Sequence, residues 1–186
     1  PTPEGFTTMG DIRVGDTVFD ENGQPCRVVA KSDVDDTEQA YRLTFRDGST
    51  IVAGERHLWN VDYIIGEPRS VLWTTGDIYR RTMKCRERYT DNGKEARRSI
   101  IRIPAAKTLQ IEERKLPVAR SCFHYLAEIE PLSERVPMQC IQVDSRSHCY
   151  LVGESFIPTH NSELAAAVAL LLCCGDGEER AEVYGC

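Results

Sequence analysis

The chain has 186 residues, 41% of them hydrophobic, with a formal net charge of −6 and a sequence pI near 5.3. That size suits one domain with a short appendage, and the hydrophobic content argues against wholesale disorder. The acidic balance gives no electrostatic footprint for nucleic acid, and the longest apolar run, Leu164–Cys174, falls short of the roughly 20 residues of a membrane span.

Pro1-Thr2-Pro3-Glu4-Gly5 is polar and turn-like rather than a secretory signal. The eight cysteines, at 26, 85, 122, 140, 149, 173, 174 and 186, are therefore expected as reduced cytosolic thiols. No CxxC pair occurs among them, which weakens a zinc-ribbon or thioredoxin-like reading. The next 50 residues read as short strands. Thr17-Val18-Phe19, Arg27–Ala30, Tyr41–Phe45 and Thr50–Ala53 have the β-branched and aromatic content of strands. Asp20-Glu21-Asn22-Gly23 and Asp47-Gly48 are hairpin turn signals between them. A helix is expected over Thr75–Arg88, with Thr75 or Asp77 near its start, and a solvated, charged loop over about 84–98. Strands resume at Ser99–Ile103, around 122–130 and at 138–143. Tyr150-Leu151-Val152 and Ser155-Phe156-Ile157 flank the turn signal Gly153-Glu154.

After Asn161 the texture changes. Ser162–Cys174 is a strong helix, with Ser162 as its cap and Gly175 at its end. It is apolar on nearly every face and wants burial in a larger fold. Ala181-Glu182-Val183-Tyr184 then resembles the opening of a strand. Residues 162–186 hold five carboxylates against Arg180 alone. The chain is an all-β body followed by a fragment of something α/β.

Three clusters carry candidate chemistry. In Thr159-His160-Asn161-Ser162, an Asn side-chain amide can attack its own backbone carbonyl, forming a succinimide and cleaving the following bond. A neighbouring His can donate the proton the leaving amide needs, and Ser162 offers a hydroxyl nucleophile across that bond. On its own the tetrapeptide reads as a turn capping a helix, but the composition break falls at the same bond. Gly54-Glu55-Arg56-His57-Leu58-Trp59 follows a strand. Alone, His57 reads as a satisfied structural histidine and Trp59 as core. Cys140 opens a late strand, where a lone Cys is ordinarily a small buried hydrophobe.

Taken in order, these blocks resemble the inteins, self-excising protein-splicing elements. The blocks are the turn-rich Pro3–Asp16, the Gly…His motif ending at His57, the late Val143-Asp144-Ser145 strand, and Phe156-Ile157-Pro158-Thr159-His160-Asn161 followed by Ser162. The resemblance covers about residues 1–70 and 100–161. It implies an all-β, horseshoe-like Hint fold with both chain ends near the centre. Trp59, Cys140 and Thr159 stand where a less common class, class three, carries a Trp/Cys/Thr set in place of an opening nucleophile. That resemblance implies that Cys140 forms a branched thioester at the upstream junction, that Ser162 takes over the upstream segment, and that Asn161 cyclises. It gives His57 the activation of the upstream junction, His160 assistance to Asn161, His148 a helper role, and Trp59 and Thr159 support of the site. Such acyl transfer needs no metal, ATP or other cofactor, and runs once per molecule rather than with turnover.

Two departures stand out. The usual Thr three residues before the motif His is Gly54, and family members have several residues before a Pro1-Thr2-Pro3-like segment. Residues 1–161 are thus expected to be an intein domain lacking its first residues, and 162–186 a downstream host fragment (C-extein). About twenty residues separate Val118 from the late strand block, which leaves no room for a homing endonuclease and implies a minimal intein. The host fragment resembles the helix that comes after Gly-Lys in a P-loop, and more narrowly the large subunit of a phage terminase, a DNA-packaging ATPase. The implied partners are its own flanking host segments, with no nucleic acid bound directly and no membrane, in a cytoplasmic monomer. Two other readings remain open at this point. One is a Hint-type domain that cleaves without ligating. The other is a β module whose Cys140, His148, Cys149 and His160 hold a metal, though their spacing fits no standard zinc pattern.

Overall fold

The structure is a computed structural model that describes residues 1–64, 69–90, 100–106, 110–111, 114–115 and 123–160. Its described part is built of antiparallel strands with one helix. A three-stranded sheet runs in the order β1 (Thr17–Phe19), β2 (Pro25–Lys31), β11 (Ile141–Val143). A larger sheet runs β12 (Cys149–Val152), β13 (Ile157–His160), β5 (Leu58–Ile64), β7 (Ile100–Pro104), β10 (Phe123–Pro131), β3 (Ala40–Phe45), β4 (Thr50–Gly54), and β6 (Arg69–Thr74) pairs beside β5. β8 (Gln110–Ile111) and β9 (Arg114–Lys115) form a small separate hairpin.

Local sequence explains most of these elements. In β2, Cys26 and Val28 face inward while Arg27 and Val29 face solvent, the period-two pattern of a half-buried strand. The β1–β2 hairpin closes where Asp20 Oδ1 accepts the backbone N–H groups of Asn22 and Gln24, each at 2.8 Å, and Gly23 takes φ +75°. The β3–β4 hairpin repeats the device. Asp47 Oδ1 accepts the Ser49 N–H at 2.9 Å, and Gly48 takes φ +87°.

The helix α1 (Thr75–Thr90) begins with a reciprocal cap. Thr74 Oγ1 accepts the Asp77 N–H at 3.1 Å, and Asp77 Oδ2 accepts the Thr74 N–H at 3.3 Å, so two otherwise unpaired amides are satisfied. The cap is thus one residue earlier than the sequence suggests. The helix also runs on to Thr90, so residues 84–90 are helical rather than loop. Lys84, Arg86, Glu87 and Arg88 are good helix formers. The rest of the expected charged loop, 91–98, lies outside the described residues.

Strands β5 and β6 carry no clear local signal. Asn60 and Asp62 are poor strand formers, but tertiary pairing overrides that bias. Asn60 Oδ1 accepts the Ser70 hydroxyl at 2.7 Å across the β5–β6 pair, and Asp62 faces Arg102 at 3.5 Å on β7. At the other end, residues 153–156 form the turn and β13 starts at Ile157, so Ser155 and Phe156 are turn, not strand.

One hydrophobic core lies on the large sheet. Leu43, Phe45, Trp59, Val61 and Ile157 are buried there, with Ile78 docking α1 onto them. A second core joins Ile12, Val18, Cys26, Val28, Ile141 and Val143 of the small sheet side to Tyr150 of β12. Val152 packs against both, so β12 is the seam between the two sheets. Leu43→Ala empties a fully buried position and is expected to lower the unfolding free energy by about 2–5 kcal/mol. Leu72→Ala, at a position 52% exposed, should change it by no more than about 0.5 kcal/mol. Urea denaturation of the two variants beside the parent protein measures both.

Candidate functional site

His57 stands at the end of a tight turn between β4 and β5. Its backbone N–H donates to the Gly54 carbonyl at 3.2 Å. Its own carbonyl accepts the Thr75 N–H at 2.9 Å and the Thr75 hydroxyl at 3.3 Å. Two residues on, Trp59 is fully buried in β5 and its indole Nε1–H donates to Thr75 Oγ1 at 2.9 Å. The His57 ring meets the Trp59 ring edge-on, with centroids 4.9 Å apart and planes at 67°. Thr75 therefore ties the His57 backbone and the Trp59 side chain to the start of α1. In the sequence Thr75 reads only as a helix start.

Thr159 reaches this pair from the far end of the chain. β13 pairs with β5 through His160 and Leu58, and with β12 through Cys149–His160 and Tyr150–Thr159. Thr159 is buried, and its Oγ1 hydrogen-bonds His57 Nε2. The His160 ring lies 6.4 Å from that of His148, at 76°. His148 holds φ +54°, in the left-handed region, at a cost of about 1–3 kcal/mol for a non-glycine residue. Its N–H donates to the Ser145 carbonyl at 3.0 Å, and the buried Ser145 hydroxyl donates to the Cys149 carbonyl at 3.0 Å, which closes that loop.

Cys140 is partly buried just before β11. Its N–H donates to Ser32 Oγ at 3.0 Å and its carbonyl accepts the Ser32 N–H at 2.9 Å. Tyr150 of β12 lies near it. The phenol is pushed far above its ordinary value by burial first, then by the nearby Cys140 and Cys149 sulfurs. Tyr150 also sits opposite Thr159 in the β12–β13 register. Nothing in the sequence marks it, since only the folded register makes it a neighbour.

Electrostatics set the protonation states. Burial, with a smaller repulsion from His160, brings His57 down to about 4, so its ring is neutral at pH 7. His160 is lowered as well, by burial and then by His148, with Glu21 opposing. Burial, followed by Asp20 and its neighbours, pushes the Cys26 thiol up to about 12, and burial with Glu21 pushes Cys149 up to about 11. Both are held as thiols and are poor nucleophiles. Among the described residues no three His, Cys, Asp or Glu side chains are placed to hold a metal ion. The set of Cys140, His148, Cys149 and His160 accordingly does not form such a centre. No described helix is long and apolar enough to cross a membrane. Asn161 and Ser162 lie outside the described residues.

No protein-family model matches the chain. Among solved structures, the crystal structure of the MchDnaB-1 intein (N145AA) matches with a TM-score of 0.58 and 30% sequence identity, covering 87% of this chain and 94% of that one. The chain is an intein. The Msm DnaB1 intein splicing domain, solved bound with zinc, matches with a TM-score of 0.58 at 28% identity, over 87% of this intein and 94% of that chain. The gp41-1 intein, at 18% identity and a TM-score of 0.51 over 86% of this chain and 91% of that one, shares the Hint fold. In sequence, the replicative DNA helicase DnaB of Mycobacterium leprae (strain TN) is 30% identical over 164 residues, 88% of this chain and 23% of the helicase. DnaB of Mycobacterium intracellulare is 46% identical over 59 residues, 32% of this chain and 10% of the helicase. The intein thus spans less than a quarter of the curated relatives it matches, as a splicing element within a larger host protein does.

The low His57 value has a consequence for stability. Unfolding releases the ring from a folded value of about 4 to its ordinary 6.5, so the unfolded chain binds more protons between those values. The His57 contribution to stability is therefore fully present above about pH 6.5 and is lost as pH falls toward 4. His124 and His160, also lowered, act in the same direction. His57→Gln should reduce the proton uptake on unfolding at pH 5 by about one. Urea unfolding of both proteins between pH 7 and pH 4.5 gives that slope directly.

Proposed function

We propose that this intein splices by the class-three route, with Cys140 as the first nucleophile and Ser162 as the second. The carrying observation is the interlock of His57, Trp59 and Thr159, which lie up to 102 residues apart in sequence. Two members of the Trp/Cys/Thr set, Trp59 and Thr159, meet at the motif histidine. The third, Cys140, lies near Tyr150, which is opposite Thr159 in the β12–β13 register.

The steps balance as successive acyl transfers. The Cys140 thiolate adds to the carbonyl carbon of the upstream junction, the C–N bond breaks, the amine takes a proton, and a thioester forms. The Ser162 hydroxyl then attacks that thioester, returns Cys140 as thiol and leaves an ester. The Asn161 side-chain nitrogen attacks its own backbone carbonyl, expels the Ser162 amine and closes a succinimide. The amine finally displaces the ester oxygen and leaves an ordinary peptide bond. Neutral His57 suits the first step. With the Thr159 hydroxyl donating to Nε2, its ring hydrogen is on Nδ1 and can polarise a carbonyl. His160 protonates the amine leaving Asn161, and His148 beside it discourages a permanent charge there.

In this reading residues 1–161 are the intein domain and 162–186 the opening of the downstream host segment. The Ser-Glu-Leu-Ala-Ala-Ala stretch that opens this segment matches the sequence that completes a P-loop in a host ATPase, for which a phage terminase large subunit is our proposal. The intein works as a cytoplasmic monomer on its own flanking segments and requires no cofactor.

Intact mass spectrometry of the precursor, with both host flanks, tests the scheme. The parent should give ligated host product and an intein ending in succinimide. Cys140→Ala should give no ligated product. Asn161→Ala should retain the host segments on the intein and accumulate the branched species. Ligation by the Cys140→Ala precursor would remove Cys140 from the mechanism. Cleavage at Asn161 with no ligation in the parent would favour a domain that only cleaves.

A further inference from the structure

We propose that Glu38 is a positioning residue for His57, acting through the Gly54–His57 turn. The proposal rests on the role given to His57 above. It goes beyond that reading in assigning a residue outside every sequence block that identified the family.

The turn that presents His57 is held by its backbone. The Glu55 N–H donates to the Gln39 carbonyl at 2.8 Å, and the Glu55 carbonyl accepts the Gly76 N–H at 2.9 Å. The His57 N–H closes onto Gly54. The remaining amide, Arg56 N–H, donates to Glu38 Oε1 at 2.5 Å. The Glu38 side chain is only 14% exposed, and its carboxylate makes this bond charge-assisted. The Arg56 guanidinium also approaches Glu38 at 3.4 Å and Asp35 at 3.1 Å, but that side chain is 63% exposed and its ion pairs hold little.

Gly54 explains why Glu38 can sit there. A Cβ on Gly54 would lie 2.5 Å from Glu38 Oε2 and 2.7 Å from Cδ. Its φ lies outside the left-handed region, so conformation does not demand glycine at this place; the carboxylate lying against it does. Where the family pattern carries a Thr side chain, this intein has a glycine with the Glu38 carboxylate in its space. The two positions form one unit.

Glu38 also ends a segment that reaches the other half of the site. Ser32 pairs with Cys140 through its N–H and its hydroxyl oxygen, and the Gln139 side-chain amide donates to the Ser32 carbonyl at 2.8 Å. Asp35 and Met138 exchange backbone bonds of 2.9 and 2.8 Å. Residues 32–38 therefore clasp the approach to Cys140 at one end and the His57 turn at the other. A loosened Glu38 contact lets His57 shift relative to both Cys140 and Thr159.

The test uses the precursor with both host flanks and the variants Glu38→Gln, Glu38→Ala, Gly54→Ala, the Glu38→Ala/Gly54→Ala double, and His57→Ala. Two rates are read by mass spectrometry: thiol-induced release of the upstream segment, which reports thioester formation, and cleavage at Asn161. Hydrogen exchange of the Arg56 amide reports the turn itself and needs no splicing. Glu38→Ala should speed Arg56 exchange and slow upstream release, each about tenfold, as loss of a bond to a charged acceptor implies. Cleavage at Asn161 should stay within about twofold. Glu38→Gln, which keeps an acceptor oxygen, should fall between. Gly54→Ala should slow release by itself but add nothing in the Glu38→Ala background, a non-additivity expected of contacting residues. If His57→Ala abolishes upstream release while Glu38→Ala leaves it unchanged, the positioning role is overturned and the His57 reading stands. If His57→Ala leaves upstream release unchanged, the His57 reading falls and takes this role with it. Equal slowing of both rates by Glu38→Gln and Glu38→Ala, with exchange speeded throughout the protein rather than at Arg56, would mean a general loss of structure and would also overturn it.

Discussion

The placement of β13 between β12 and β5 is the constraint on which the rest of this intein depends. A four-residue strand from near residue 160 must enter the large sheet beside a strand that begins at residue 58. Hydrophobic burial holds it there, since Ile157 and Leu151 are fully buried and Thr159 is buried beside them. The hairpin before it is tight. Gly153 and Phe156 both take positive φ, and the non-glycine Phe156 is braced by a ring contact with Phe6 at 5.9 Å. Once β13 is in place, Thr159 meets His57 and His160 meets His148. Remove that strand and the candidate site has no third side.

Burial then does chemical as well as structural work. The same packing that fixes His57 on Trp59 and Thr159 also removes its water, which keeps the ring neutral well below pH 7. It keeps Cys26 and Cys149 as thiols. A chain with several cysteines near one seam risks acyl transfer to the wrong sulfur. Desolvation beside Asp20 and Glu21 suppresses that at two of them.

Much of the fold is legible in local sequence, because hairpins carry their own chemistry. β1 falls where Thr17-Val18-Phe19 predicts it, and Asp20–Gly23 and Asp47-Gly48 turn as Asx and glycine turns do. Two of the strands hidden from that reading, β5 and β6, have polar residues that are satisfied across the sheet, through Asn60–Ser70 and Asp62–Arg102. Candidate site residues are legible for a different reason. Family resemblance picks out His57, Trp59 and Thr159, and their mutual contact is a product of register that no local pattern encodes. Thr75, Tyr150 and Glu38 belong to no block, so only the fold brings them to the site. Charge obscures the extent of α1. A run of Lys, Arg and Glu has the same composition whether it is loop or solvated helix, and here it is helix as far as Thr90.

An intein differs from an enzyme in that its substrate is its own chain, so recognition needs no affinity. The whole task is to hold groups from distant sequence positions at reacting distance, where a well-oriented intramolecular reaction gains an effective concentration of about 10⁵–10⁸ M. That shifts selection from a binding pocket to rigidity between the pieces. The two sheets are joined at β12, where Tyr150 belongs to one core and Val152 packs against both. They are joined again by residues 32–38, which hydrogen-bond to Cys140 and Met138 on one side and to Arg56 on the other. Two separate ties between the sheets are what a single-use acyl-transfer site requires. A hinge at either would leave every residue in place and the reacting groups out of line.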